Sequence, residues 1–136
     1  MKNLLRFEEL AQFALCFVVL FTNDVPWWCY VLLFIGPDIG MIGYLINTKV
    51  GAFAYNLLHH KAVALAFVVA GLPGQFEIVN LVQLDMGDPW MNPLVAIGII
   101  LYGHASMDRI FGYGLKFNDS FHHTHLGWIG KAVNGV

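Results

Sequence analysis

The chain has 136 residues, 58% hydrophobic and 12% charged, with a formal net charge of −2 and a mean hydropathy of +0.65. A soluble domain carries about 25% charged residues, so this composition points to a single-domain integral membrane protein over 1–136. With no basic tract and a slightly negative balance, it excludes a nucleic-acid partner.

The first apolar segment covers about 4–22. Lys2 and Arg6 precede it as in a signal peptide, but Glu8 and Glu9 interrupt it and no small-residue cleavage site follows, so it reads as a retained span. Asn23, Asp24 and Pro26 break the chain. The second segment, about 27–46, opens on the aromatic belt WWCY and contains PDIGMIGY. The third covers about 50–72 and carries YNLLHHK in its middle. The acidic stretch 73–89 is too short to span and reads as an interfacial segment. The fourth span covers about 92–113, and the Gly- and His-rich tail from 114 is non-spanning. Cys16 and Cys29 lie in apolar runs without a C-x-x-C, so both read as small hydrophobes.

The predicted fold is therefore all-α: a bundle of four transmembrane helices, an interfacial segment between the third and fourth, and a short tail. Six of the seven basic residues, all but Lys61, fall on one side of these spans. The positive-inside rule then places the protein in the cell membrane as a multi-pass chain with both termini cytoplasmic.

This orientation sets depths. Asp38, His59, His60, His104 and Asp108 all fall at or inward of mid-bilayer, on three different spans. His104 and Asp108 are four residues apart, as are Tyr55 and His59, so each pair shares a helix face. Pro37 removes a helical N–H and frees a carbonyl near Asp38. Lys61 lies about 100–200° around a continuous helix from Tyr55 and His59, facing outward or into a wet crevice. Intramembrane ionisable groups cost about 3 kcal/mol each on insertion scales and face a partner or a wet cavity.

Three readings fit such a layer: polar glue between helices, a proton or ion pathway, and a metal site built from neutral imidazoles and carboxylates. In the metal reading, zinc, manganese or iron is held by His59, His104, His125 and Asp38, and water is activated against a lipid-borne ester or phosphate. His104 and Asp108 are then the catalytic pair, Asp108 serving as ligand or as the partner that orients His104. Arg109, Lys116, Tyr55, Asn56 and Tyr113 are candidate substrate-binding residues, with Arg109 and Lys116 on the head group. The expected partners are membrane lipids and, from the many glycines, a second copy of the chain.

Four ordered motifs, PDIGMIGYL, VGAFAYNLLHH, GHASMDRIFGYGLKF and FHHTHLGWIG, resemble the domain of unknown function 4260 family of small bacterial multi-span membrane proteins. The matching positions include Asp38, Tyr44, Tyr55, Asn56, His59, His104, Asp108, Arg109, Tyr113, Lys116, Thr124 and His125. The resemblance implies an architecture and a residue set, and favours His59 over His60 and Lys61, which lie outside the pattern. A more distant likeness is to membrane-bound metal-dependent hydrolases with P-D and T-H motifs near helix ends.

Overall fold

The computed structural model describes residues 1–75 and 91–130. The predicted interfacial segment falls outside them, apart from its first three positions, which continue a helix. The described chain is mostly helical: α1 (Lys2–Thr22), α2 (Trp27–Ile35), a 3-10 helix (Pro37–Leu45), α3 (Thr48–His59), α4 (Lys61–Gln75) and α5 (Pro93–Phe111). The tail adds what the all-α reading lacked, a small antiparallel hairpin of β1 (His123–Thr124) and β2 (Gly127–Trp128).

Local chemistry sets the boundaries. Asn47 caps α3 by accepting from the Val50 N–H at 2.9 Å, and Asn92 caps α5 by accepting from Leu94 at 3.0 Å, with Pro93 next. α5 ends in a Schellman turn. Gly112 takes φ 92°, its N–H reaches the Arg109 carbonyl, and Tyr113 reaches back to Asp108.

Two predicted spans are each broken in the middle. Pro37 offers no N–H to the Leu33 carbonyl, so α2 stops and the chain tightens into the 3-10 helix, bent by 44°. α3 and α4 meet at 46° because His60 leaves the helical region with ψ 114°. His60 then caps α4: its Nδ1 accepts from Ala62 at 3.2 Å and its carbonyl from Val63 and Ala64. By length and composition, α5 is long and apolar enough to cross a membrane, and the two bent pairs raise the number to as many as three. α1 has 21 residues, but Arg6, Glu8 and Glu9 occupy its first half.

α5 packs against α1, α2 and α4, while the 3-10 helix packs against α3. Leu20, Cys29, Leu33, Val95 and Ile100 form the buried core of this arrangement. Close approach depends on missing side chains. A Cβ on Gly40 would lie 2.8 Å from the Ala54 carbonyl oxygen, and one on Gly98 2.6 Å from that of Ala64. Large apolar side chains such as Phe7, Leu45 and Phe53 remain exposed on the outer faces. Both cysteines are buried thiols, as predicted.

The break at His60 corrects the placement of Lys61, since no continuous helix relates it to Tyr55. Lys61 does line a crevice, the second of its expected settings. There it donates to Glu9 Oε2 at 2.5 Å and to Gln12, and it lies over the Tyr102 ring. Tyr102 completes the network through its hydroxyl, which donates to Gln12 at 3.0 Å.

Candidate metal centre

Three elements bring four side chains together. The 3-10 helix supplies Asp38, the last residue of α3 supplies His59, and one face of α5 supplies His104 and Asp108. One donor atom from each lies within 4.8 Å of all the others. His59 and His104 are fully buried.

The two imidazoles are oriented from behind. His59 Nδ1 lies 2.8 Å from the Tyr55 carbonyl and His104 Nδ1 lies 3.0 Å from the Leu33 carbonyl. A carbonyl only accepts, so each Nδ1 carries a proton and each ring turns its Nε2 toward the carboxylates. Leu33 is four residues before Pro37, so the acceptor that turns His104 is the carbonyl the proline deprives of a helical partner. His59 is further held by stacking on the Tyr55 ring, with centroids 3.7 Å apart.

Both Nε2 atoms meet the carboxylates at distances that are not hydrogen bonds. His59 Nε2 is 3.5 Å from Asp38 Oδ1 and 3.4 Å from Asp108 Oδ2. His104 Nε2 is 3.5 Å from Asp38 Oδ1 and 3.8 Å from Asp108 Oδ1. Both Nε2 atoms and Asp38 Oδ1 are buried without a hydrogen-bond partner. An ion with bonds of about 2.0–2.2 Å to four tetrahedral ligands separates those ligands by roughly 3.3–3.6 Å. Three of the four nitrogen–oxygen distances fall in that range, and imidazole and carboxylate are the donor types that a divalent cation takes.

Around the four, Tyr55 donates its hydroxyl proton to Asp108 Oδ2 at 2.6 Å. Asp38 keeps a 35% exposed side chain, which makes it the most open member of the group. Tyr44 packs edge-on against Phe121, and its hydroxyl is buried without a partner.

The remaining sequence candidates separate. His125 is exposed and stands apart from the four. Its Nδ1 accepts from the Leu115 N–H at 2.8 Å, and its place in the expected ligand set is taken by Asp108. Of the two roles expected of Asp108, ligand or orienting partner, the geometry fits the first, since His104 is oriented from Leu33 and turns its Nε2 toward Asp108. Lys116 is not at a head-group position but 3% exposed. Its ammonium donates to the Phe121 carbonyl at 3.0 Å and lies over the Tyr55 and Phe121 rings. Burial lowers its pKa below the ordinary lysine value, against the pull of Asp108 and Asp38. The Asn56 side-chain amide is taken up by the backbone of Lys116, donating to its carbonyl at 2.8 Å and accepting from its N–H at 2.7 Å.

Asn56 thereby pins the start of the tail to α3. Thr124 then bridges to Lys116, and the His123 ring stacks on Trp128 while holding Asp119 at 2.8 Å. Arg109 and Tyr113 line a cleft beside Tyr55, His59 and Asp108 that is too narrow for water. Sequence reasoning missed the Leu33 and Tyr55 carbonyls as orienting groups. Only Pro37 signalled the first.

Fold and site together define a helical protein whose two histidines and two aspartates form a largely buried group able to hold a metal ion. The domain of unknown function (DUF4260) matches residues 2–129, and the chain belongs to that family. No curated protein and no solved structure matches it.

Proposed function

We propose that this chain is a four-span membrane protein with both termini cytoplasmic that holds one divalent cation, zinc, manganese or iron, at Asp38, His59, His104 and Asp108. We further propose that it hydrolyses a lipid-borne ester or phosphate. The observation that carries the reading is the convergence of two buried Nε2 atoms on two carboxylates at 3.4–3.8 Å, with neither nitrogen in a hydrogen bond. Glue alone favours a different arrangement, with protonated nitrogens contracting onto the carboxylates to about 2.8 Å.

A bound divalent ion supplies Lewis acidity toward an ester or phosphoryl oxygen and acidifies its own water. The protein's residues do the rest. The Leu33 and Tyr55 carbonyls hold both rings in the ligating tautomer. Tyr55 neutralises one lone pair of Asp108 and fixes its rotamer. Asp38 is the most open member of the group. The Lys116 ammonium lies over the Tyr55 ring, 4.6 Å from its centroid. The exposed apolar side chains on α1, α3 and the 3-10 helix support burial in a bilayer.

The competing reading is a structural lock without hydrolysis, favoured by the Tyr55–Asp108 hydrogen bond that ties α3 to α5. Metal content of the purified protein, before and after chelation, separates the two. Near one equivalent of divalent metal, with a fall in the unfolding temperature on its removal, is expected. A metal present at 100 times its Kd adds about 2.7 kcal/mol of stability. Protein that binds none at neutral pH leaves the structural lock.

A further inference from the structure

Away from the four-residue centre, the first turns of α1, the start of α4, the end of α5 and the hairpin enclose a crevice of about 570 Å³. Its charged lining is Lys2, Arg6, Lys61 and Arg109 against a single carboxylate, Glu9. This is a concentration of positive charge in a chain whose formal net charge is −2. Glu9 is committed to Lys61 at 2.5 Å. Among the described residues, Lys2, Arg6 and Arg109 have no carboxylate within ion-pair distance. Leu5 and Leu126 form apolar walls, both largely exposed. Arg109 also lines the narrow cleft beside Asp108 and His59.

We infer that this crevice binds the phosphate group of an anionic lipid, with Lys2, Arg6 and Arg109 on the phosphate and Leu5 and Leu126 against its glycerol and acyl stem. Guanidinium groups match phosphate oxygens in paired hydrogen bonds, and free cations at a membrane surface favour anionic lipid. The apolar walls argue for a lipid rather than a free phosphate. As a substrate-holding crevice this deepens the hydrolase reading and rests on it, selecting phosphate-bearing over neutral lipids. As an anion site it stands without the metal.

The test uses the full chain in a neutral detergent, with the unfolding temperature followed against added phosphatidic acid, phosphatidylcholine of the same acyl chains, or inorganic phosphate. Phosphatidic acid is expected to stabilise the protein at a concentration about tenfold or more below phosphatidylcholine. The Lys2→Gln/Arg6→Gln double variant should lose that preference while keeping its metal content and its unfolding temperature without lipid. Equal response to the two lipids, or a preference untouched in the double variant, overturns the proposal. Inorganic phosphate acting as strongly as phosphatidic acid overturns the lipid source and leaves a soluble phosphate ester. The phosphatidic acid preference should survive chelation. Protein that binds no metal as purified yet keeps the preference removes the hydrolase reading alone, and protein that binds metal without the preference removes the crevice alone.

Discussion

Asp108 and His60 show how differently two polar residues are used. Asp108 receives the Tyr55 hydroxyl and faces both Nε2 atoms, whereas the His60 ring is turned to the backbone of α4. Asp108→Asn keeps the volume and removes the charge. It is expected to leave the protein folded and to weaken metal binding by about tenfold or more. His60→Ala should leave metal content unchanged and cost about 1 kcal/mol as a lost helix cap. Metal content by elemental analysis, read beside the unfolding temperature, checks both. Equal metal in Asp108→Asn and the wild type would take Asp108 out of the centre.

At the scale of elements, the breaks in α2 and α3–α4 make the site. A straight second span would commit the Leu33 carbonyl to the N–H of residue 37. Pro37 withholds that donor, and His104 supplies one instead. Pro37→Ala is therefore expected to return Leu33 to the helix, free the His104 ring to rotate, and weaken metal affinity about 10- to 100-fold. Competition against a chelator of known affinity measures it, and an unchanged affinity would show that Leu33 does not orient His104. Gly40 contributes by letting the 3-10 helix lie against the backbone of α3, which sets Asp38 beside His59.

At the scale of the whole molecule, two contacts far apart in sequence organise the bundle. Lys61 of α4 reaches Glu9 of α1, and Asn56 of α3 holds Lys116 of the tail. Both members of the first pair are only 18% exposed. Lys61→Met should destabilise the protein by about 3 kcal/mol by stranding Glu9, and adding Glu9→Gln should recover much of that loss. Thermal unfolding of the three variants in detergent decides it. The proposed topology predicts opposite signals from reporter fusions at Lys49 and Asp85, and the same signal at both would dissolve the shared-depth reading of the site.

The residue types of the cluster, and its members Asp38, His59 and His104, were readable from the sequence alone. Backbone hydrogen bonding sets the helical period, so residues four apart, such as His104 and Asp108, share a face whatever surrounds them. Proline chemistry likewise announces a free carbonyl without any knowledge of the fold. The sequence could not choose between Asp108 and His125 as the fourth member, place Lys116 inside rather than at a head group, or reveal the break at His60. Those outcomes depend on groups separated by tens of residues: Asn56 capturing the backbone of Lys116, and Leu115 occupying the His125 ring. Helical periodicity carries position only along an unbroken helix. Across a bend or a loop, only tertiary packing decides which side chains meet.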